Sequence, residues 1–446
     1  MSRSAAVIPD PTPVYDPRSY ERGVPFECID ALRESAPVIW VDEAALPDWD
    51  AGPGFWLVLR HAEVEQVLKD PVRFSSWLGG TQLKDPATPA DLEYVRRMML
   101  NMDPPEHTRL RRLLSGAFTS RAMKALADRI EAHARESVAR ALGDAAAGEC
   151  DFAKDVAADL PLHALADVLG VPVEDRWLFF DWANRVIGFQ DPEYALSSHF
   201  ERESGSAIAR EALALRPQPD ASGRMPDPRT REGMPDLYRY AHLLAEAKRA
   251  EPGSDVMSLL LAEVDDAGGR VSNEEFENLF WLFAVAGNET LRNGIPGGMI
   301  ALLAHPEAMA ALRADRCLLQ TGIEEMLRWW TPVMIFRRTA TEDVSLGGAG
   351  IRAGDKVVVS FLAANRDPRV FDAPDRFDIE RSPNPHLSFG HGPHFCLGAQ
   401  LARLQMRAMF NAVFDATTEI APAGTPEFLR SNFQRGVKRL PIKWRR

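Results

Sequence analysis

Apolar residues recur at helical spacing along most of this chain. In five segments they fall at i, i+3 or i+4 and i+7, so that a helix would have one apolar face. These segments are "HTRLRRLLSGAFT" (107–119), "PLHALADVLG" (161–170), "PDLYRYAHLLAEAKRA" (235–250), "NEEFENLFWLFAVAGNETLRN" (273–293) and "LGAQLARLQMRAMFNAVF" (397–414). The β-type runs are shorter: "FWLVLR" (55–60), "VSLGGAGIRAGDKVVVS" (344–360) and "RLPIKW" (439–444). The pattern predicts a mainly α protein with small sheets.

Two segments depart from this pattern. Residues 1–25 are rich in proline and predict an extended N-terminal segment. Residues 216–237, "RPQPDASGRMPDPRTREGMPDL", concentrate Pro, Gly, Asp and Arg between two helical stretches, which is typical of a long flexible loop. No other change in composition marks a domain boundary. We therefore expect residues 1–446 to form a single domain.

Composition narrows the class of protein. Of 446 residues, 46% are hydrophobic and 26% charged, as in ordinary globular proteins. The net charge, 52 − 64 = −12, argues against nucleic acid as the main partner, because phosphate binding requires a basic surface. The longest strongly apolar stretch, "LFWLFAVAG" (279–287), is shorter than the roughly 18 residues of a membrane span. With no signal-like N-terminus either, the sequence predicts a cytoplasmic protein without a membrane anchor.

The four cysteines lie far apart, at Cys28, Cys150, Cys317 and Cys396. Their spacing disfavours both a disulfide framework and a zinc site. Cys396 differs from the others because it lies within "SFGHGPHFCLG" (388–398), where a glycine-rich loop leads into a helical pattern. Backbone N–H groups at the start of a helix favour a thiolate, which is a metal ligand. The alternative is a structural cysteine, but the full spacing of the loop favours the ligand.

This loop resembles the haem-binding loop of the cytochromes P-450. The resemblance implies the cytochrome P-450 fold, with haem b buried between a long central helix and the helix that follows the loop. Cys396 would be the proximal thiolate ligand of the iron. Phe389 would shield the sulfur, and Gly390 and Gly398 would belong to the same cofactor-binding loop.

Further motifs in the order found in this family support the resemblance. "EEMLR" (324–328) contains Glu325 and Arg328 on one helix face, and "PDRF" (374–377) supplies Arg376. An isolated ExxR is more often an exposed ion pair, but its position upstream of the loop favours the structural Glu-Arg-Arg network of the family. The resemblance also implies four ligands of the haem propionates. They are His107 and Arg111 in "DPPEHTRLR", Arg338 in "FRRTATED", and His394.

The long apolar segment 273–293 carries "AGNET" (286–290), which resembles the oxygen-activating stretch of the family. Ala286 and Gly287 would let the cofactor approach the helix backbone. Neighbouring residues on a helix diverge by about 100°, so Thr290 is expected to face the iron and Glu289 to relay protons. Leu291 departs from the family pattern, in which a second hydroxyl residue is common.

The expected reaction is RH + O₂ + 2e⁻ + 2H⁺ → ROH + H₂O. We see no dinucleotide-binding fingerprint, so electrons are expected from a separate ferredoxin and its NAD(P)H-dependent reductase. Arg112, Arg403 and Arg407 would form the docking patch of a monomeric enzyme. A peroxygenase that uses H₂O₂, or a haem-based ligand sensor without turnover, is the alternative. The acid-alcohol pair at 289–290 argues against a peroxygenase.

Four segments rich in apolar residues are candidates for the substrate pocket, although many of their side chains would fill the core instead. They are "WLGGTQL" (77–83), "RWLFFDWANRVIGF" (176–189), "TPVMIF" (331–336) and "RSNFQRGV" (430–437). The candidate residues are Trp77, Leu83, Val186, Val333, Met334 and Phe433. The segments together resemble the bacterial branch that hydroxylates steroid side chains, terpenoids and branched fatty chains. A terminal or near-terminal methyl group is the expected target.

Overall fold

The computed structural model describes residues 8–47, 49–115, 120–196, 205–262, 264 and 268–446. Most of these residues are helical. The α-helices are α1 (Thr12–Tyr15), α2 (Phe26–Ser35), α3 (His61–Lys69), α4 (Pro89–Arg96), α5 (Glu106–Ser115), α6 (Ser120–Leu142), α7 (Asp159–Leu169), α8 (Trp177–Ile187), α9 (Pro192–Leu196), α10 (Ala207–Leu213), α11 (Pro235–Ala250), α12 (Val256–Ala262), α13 (Asn273–Ala304), α14 (Pro306–Ala314), α15 (Leu319–Trp330), α16 (Phe361–Ala364) and α17 (Ala399–Ala416). A π-helix spans Phe152–Ala157, and 3-10 helices include Pro17–Arg22, Met99–Asn101, Arg231–Gly233 and Gly392–His394.

Small sheets complete the fold. The strands are β1 (Val38–Val41), β2 (Phe55–Val58), β3 (Phe74–Ser75), β4 (Ala147–Asp151), β5 (Ile335–Ala340), β6 (Val344–Leu346), β7 (Ala349–Ile351), β8 (Lys356–Ser360), β9 (Glu419–Pro422), β10 (Glu427–Phe428), β11 (Val437–Arg439) and β12 (Pro441–Arg445). The largest sheet has the order β1-β2-β8-β5-β3, in which β2 and β8 are parallel and the other pairs antiparallel. A second sheet has the order β4-β12-β9, and β6-β7 and β10-β11 are hairpin-like pairs. The predicted mainly α architecture with small sheets is therefore confirmed.

Helix α13 runs through the centre of the helical core. Its first turn is fixed by a capping box, in which the Ser272 hydroxyl accepts from the Glu275 backbone and the Glu275 carboxylate accepts from Ser272 N–H. Helices α7, α8, α11 and α15 pack around it. Because it has neighbours on so many sides, apolar residues occupy most of its circumference rather than one stripe. Residues 294–304 continue the helix beyond the predicted 273–293 segment, and they show no single apolar stripe because they are buried on most sides.

Of the two segments that broke the helical pattern, the N-terminal one differs from its prediction, and its residues 1–7 lie outside the described residues. Residues 8–25 are not extended, since they contain α1 and the 3-10 helix Pro17–Arg22, whose prolines occupy first-turn positions where no backbone N–H is needed. Residues 216–237 form a loop that leads through Arg231–Gly233 into α11. This loop has internal order: Gly233 lies so close to the backbone of Asp227 that a Cβ would come within 2.1 Å of the Asp227 oxygen.

Among the residues that the structure describes, no single helix is long and apolar enough to cross a membrane. The pair α13 and α14 meets this criterion only jointly, by length and composition, and is bent by 107° at the break.

Candidate active site

The glycine-rich loop before α17 presents Cys396 in a fixed position. Gly390 and Gly392 have φ angles of +69° and +68°, which side chains with a Cβ rarely adopt. At Gly392 a Cβ would also lie 2.4 Å from the Leu68 carbonyl oxygen, so glycine is required there for close approach to α3. The Cys396 N–H donates to the Phe389 carbonyl oxygen at 2.8 Å, which closes the loop. The loop therefore holds its shape through its own backbone.

Cys396 opens onto a large cavity between this loop and α13. Ala286, Gly287 and Thr290 of α13 lie in the cavity wall, as do Gly390 and Gly398 of the loop. Much of the remaining wall is apolar, and includes Leu165, Val186, Ile187, Trp281, Val285, Val333, Phe336 and Phe433. The arrangement has room for a flat cofactor against the sulfur and an apolar molecule beyond it.

The sulfur of Cys396 is subject to opposing influences. Burial raises the pKa of the thiol, while the Gly398 N–H and the guanidinium groups of Arg111 and Arg403 lower it. The start of α17 thus favours the thiolate as the sequence predicts, but burial outweighs this effect and the pKa remains raised. A coordinated metal ion would supply the missing stabilisation, because a coordinating thiol is deprotonated.

Phe389 and Arg403 lie on the α17 side of the loop. The Arg403 guanidinium carbon is 4.6 Å from the Phe389 ring centroid. Its Nε and Nη2 donate to the two oxygens of Glu324 at 2.6 and 2.8 Å, and His386 lies 3.1 Å from the same carboxylate. Although burial opposes ionisation, these bonds lower the pKa of Glu324 to about 2. The Phe389 ring therefore packs against an arginine that is itself fixed by two bonds to Glu324.

The four predicted propionate ligands converge on one wall of the cavity. His107, Arg111, Arg338 and His394 all line it, and the rings of His107 and His394 are 4.0 Å apart. Burial lowers the pKa of Arg338 to about 10, even though Asp103 attracts it. Burial, reinforced by Arg111 and Arg338, lowers the pKa of His107 to about 4. The positive charge of this wall near pH 7 is therefore carried by Arg111 and Arg338, beside two neutral imidazoles.

The residues present fit a haem group. Its two propionates would supply the negative charge that this wall lacks, and the buried His107 Nδ1, which has no hydrogen-bond partner among the described residues, would gain one. Beside the sulfur, a Cβ at Gly398 would meet no atom within 4 Å, so this side of the cavity is open to a flat ring. We assign the cavity beside Cys396 to haem on these grounds.

The acid and the alcohol of "AGNET" lie in different environments. Thr290 faces the cavity and its Oγ1 donates to the Ala286 carbonyl oxygen at 2.9 Å. Glu289 is buried away from the cavity wall, 3.0 Å from Arg292 Nη1 and 3.0 Å from Asn293 Nδ2. This divergence agrees with the separate roles expected for two adjacent helical residues.

Gly287 differs in one respect from its expected role. A Cβ there would come 2.9 Å from Leu165 Cδ1, so the absence of a side chain permits close packing of α13 on α7. The cofactor-facing small residue is Ala286, whose side chain is exposed to the cavity.

The buried ion network contains Arg381 rather than the predicted Arg376. Glu325 and Arg328 are fully buried, with Nε–Oε2 and Nη2–Oε1 distances of 2.7 Å. Arg381 Nε lies 3.2–3.3 Å from both Glu325 oxygens. The Arg376 side chain is instead 64% exposed and pairs with Asp378. Arg376 contributes only its backbone carbonyl, which accepts from both buried arginines.

The predicted substrate pocket is brought together only in part. Val186, Val333 and Phe433 line the cavity. The other three predicted side chains do not, and they are Leu83, Met334 and Trp77. Leu83 and Met334 are buried in the core beside the largest sheet. Trp77 lies at the surface, 38% exposed, under the Arg96 guanidinium at 5.1 Å.

Sequence reasoning missed three polar residues of the site. Arg381 lies only five positions after Arg376, and the run "RFDIER" offers both arginines at once without a signal that ranks them. Lys84 and Arg229 line the cavity, but each belongs to a segment rich in proline and charge that is typical of solvated loops. Their location depends on how these loops fold back on the helices.

Comparisons with known proteins agree with this geometry. The family model described as "Cytochrome P450" matches residues 240–416. A steroid C26-monooxygenase of Mycolicibacterium smegmatis is 37% identical over 431 residues, which covers 94% of this chain and 91% of the relative. A methyl-branched lipid omega-hydroxylase of Mycobacterium bovis is 36% identical over 421 residues, covering 93% and 89%. The solved cytochrome P450 of Mycobacterium marinum in complex with pseudoionone is 34% identical with a TM-score of 0.79, covering 95% and 96%.

With a Cys396 loop of this geometry and relatives of this identity across nearly its full length, the chain belongs to the cytochrome P450 family. It is a monooxygenase of that family, which implies haem with a cysteine thiolate ligand and a requirement for O₂ and a redox partner.

Proposed function

We propose that this enzyme hydroxylates a terminal or near-terminal methyl group of an elongated apolar substrate, such as a steroid side chain, a terpenoid or a branched fatty chain. The observation that supports this most directly is the cavity beside Cys396, whose wall beyond the haem region is mainly apolar. The names of the relatives, a steroid C26-monooxygenase and a methyl-branched lipid omega-hydroxylase, describe reactions at such methyl groups.

Each residue of the site has a distinct proposed role. When bound, the haem would supply the oxygen-activating chemistry, and the Cys396 thiolate would hold its iron. Phe389, Gly390 and Gly398 shape and shield the thiolate loop, and the wall of His107, Arg111, Arg338 and His394 holds the propionates.

Proton delivery is proposed to involve α13. Thr290 Oγ1 holds a proton on the cavity side, and Ala286 and Gly287 leave space beside it. Glu289 takes up protons behind the helix, where Arg292 and Asn293 orient its carboxylate. The apolar wall keeps bulk water away from the reacting methyl group.

A separate ferredoxin with its reductase is the proposed electron donor. Arg407 of α17 and Arg112 of α5 are exposed, while Arg403 is partly buried in its ion pair with Glu324. The basic docking patch therefore rests more on Arg112 and Arg407 than on Arg403. Replacing Arg407 by Glu should slow reduction by ferredoxin, and an unchanged rate would remove this residue from the patch. A cytoplasmic location and a monomeric state stay predictions of the sequence.

The alternatives, a peroxygenase and a non-catalytic haem-based sensor, are less well supported because Thr290 faces the cavity and Glu289 is held close behind it. A sensor would bind ligand without turnover when supplied with reductant and O₂. A peroxygenase would form product with H₂O₂ and gain nothing from an electron donor.

Replacing Cys396 by Ser is the central test of the proposed function. The reduced variant should lose the carbon monoxide band typical of thiolate ligation, whereas the exposed Cys317→Ser control should retain it. A panel of steroids, terpenes and branched fatty acids should then be screened by the spin-state change of the haem and by product analysis. Retention of the thiolate band in Cys396→Ser, or hydroxylation confined to ring positions, would contradict the proposal.

A further inference from the structure

The apolar wall of the cavity is interrupted by two polar residues of the loop between β3 and α4. Gln82 and Lys84 both line the cavity. The Gln82 side chain has its Oε1 buried without a hydrogen-bond partner in the part of the chain that the structure describes. An unpaired buried acceptor costs free energy unless a donor such as water bonds to it. Nε2 of the same amide is the donor that Gln82 offers to a ligand in the cavity.

Lys84 is a cation without a counter-ion. Its Nζ lies 5.6 Å from the Trp49 ring centroid, and no described carboxylate forms an ion pair with it. The neighbouring carboxylate of Asp85 is engaged elsewhere, by Arg337 and by Lys356. Lys84 attracts Asp227 without bonding to it, and Asp227 is already paired with Arg229. Lys84 therefore adds a positive charge without an ion-pair partner to a mainly apolar cavity.

The second cation of this region is neutralised. The Arg229 guanidinium makes a two-point bond with Asp227, whose nearer contact is 2.6 Å, and lies 4.9 Å from the Phe189 ring centroid. Its Nη1 also donates to the Lys84 carbonyl oxygen at 3.3 Å. Arg229 thus ties the 216–237 loop to the backbone of Lys84. The charges of Arg229 and Asp227 cancel, so the net positive charge of this region is that of Lys84.

We propose that Gln82 and Lys84 form a subsite for a carboxylate carried by the substrate. This proposal rests on the proposed function, because it names the class of substrate: an elongated apolar carboxylic acid whose far end lies over Cys396. A carboxylate placed there would pair with the Lys84 ammonium and accept a hydrogen bond from Nε2 of the Gln82 amide. The apolar remainder of the substrate would cover the apolar wall.

The test uses the haem-loaded enzyme and three probes of equal chain length: hexadecanoic acid, its methyl ester and hexadecan-1-ol. Dissociation constants are measured at neutral pH by the spin-state change of the haem and, independently, by calorimetry. The wild type should bind the acid most tightly. In Lys84→Gln the dissociation constant of the acid should rise about tenfold or more, the change expected for losing one bond to a charged group, while that of the ester stays unchanged.

Matched variants separate charge from packing. Lys84→Arg keeps the charge and should retain acid binding, Gln82→Leu should weaken it to a smaller extent, and the exposed Lys443→Gln should have no effect. Equal losses for acid and ester in Lys84→Gln, or a wild type that prefers the ester or the alcohol, would overturn the subsite. If the enzyme hydroxylates the ester but shows no preference for the acid, only the subsite fails. If none of the probes, steroids or terpenes is hydroxylated, the proposed function fails.

Discussion

Two clusters of buried or half-buried charged and basic side chains in this protein are built differently. In the first, Glu325 accepts from Arg328, Arg381, Asn384 Nδ2 at 3.1 Å and the Asp378 N–H at 2.9 Å. Every oxygen of this carboxylate is therefore bonded. The second is the wall of His107, Arg111, Arg338 and His394, where positive groups outnumber negative ones.

The difference separates a structural network from a ligand site. A buried ion network that is complete within the protein stabilises the fold and needs no further partner. The wall of the second cluster is costly in the protein alone, because burial disfavours the charged form of Arg338 and keeps the two imidazoles neutral near pH 7. Such a wall is stable in the charged form only with an anion, so it indicates where the cofactor carboxylates bind. The two clusters should accordingly respond in opposite ways to substitution.

The largest effect is expected for Glu325→Gln. This change leaves Arg328 and Arg381 buried without their counter-ion and should lower the free energy of unfolding by about 3–5 kcal/mol, as measured by urea denaturation. Glu427→Gln is the control, because this glutamate is 55% exposed in its pair with Arg439 and should cost less than about 1 kcal/mol. Equal losses for the two variants would mean that burial of the Glu325 network adds nothing.

Arg338→Gln should produce the opposite behaviour in the two forms of the enzyme. Without haem, removal of a buried cation should leave the free energy of unfolding unchanged or raise it. With haem, loss of a charge-assisted bond to a propionate should speed haem transfer to an acceptor protein by about tenfold or more. The exposed Arg352→Gln should change neither quantity. A haem-free Arg338→Gln protein as unstable as Glu325→Gln would show that the wall is structural.

The wall and the separate Glu324–Arg403 ion pair should also lose stability in different ranges of pH. Burial, and then Arg111, lowers the pKa of His107 from 6.5 to about 4, so below pH 6.5 the unfolded chain takes up a proton that the native, haem-free protein does not. Stability should therefore fall as the pH drops from about 6.5 to 4. Glu324 has a pKa lowered from 4.5 to about 2, so its contribution is lost only between these values.

His107→Gln tests this distinction in the haem-free protein. The variant should take up about one proton fewer on unfolding between pH 6.5 and 4. Its urea midpoint should therefore depend less on pH in this range and be unchanged in its pH dependence below pH 4. His242→Gln is the control, because His242 contacts Glu246 of α11 and Glu277 of α13 and does not line the cavity. An unchanged slope in His107→Gln would show that the imidazole is protonated in the folded protein.

The sequence predicted the site best where a reactive residue is surrounded by residues that the backbone conformation requires. Cys396, Gly390 and Gly392 are recognisable because positive φ angles and close approach to α3 allow little other than glycine around the sulfur. The apolar residues at helical spacing likewise located α13, because this signal lies within the helix sequence itself. Prediction was weaker where a side chain can turn either inward or outward.

Met334 and Val333 illustrate this second case. They are neighbours at the start of β5, and successive residues of an extended chain face opposite sides, so one lines the cavity and the other enters the core. Composition gives no sign of which is which. The polar residues Lys84 and Arg229 were harder still, because loops of their composition are usually solvated and their place in the cavity wall depends on long-range contacts.

The smallest effect is expected for Arg376→Gln, and it tests the corrected ion network directly. Arg376 contributes its carbonyl oxygen to Arg381 at 2.9 Å and to Arg328 at 3.3 Å, and a change of side chain leaves both bonds in place. Its exposed pair with Asp378 is worth little, so the free energy of unfolding should stay within about 0.5 kcal/mol of the wild type. Arg381→Gln removes a buried charge from Glu325 and should cost several times more. A larger loss of stability in Arg376→Gln than in Arg381→Gln would mean that the Arg376 side chain bonds to Glu325 in solution. The complete network would then consist of Glu325, Arg328 and Arg376 instead of Glu325, Arg328 and Arg381.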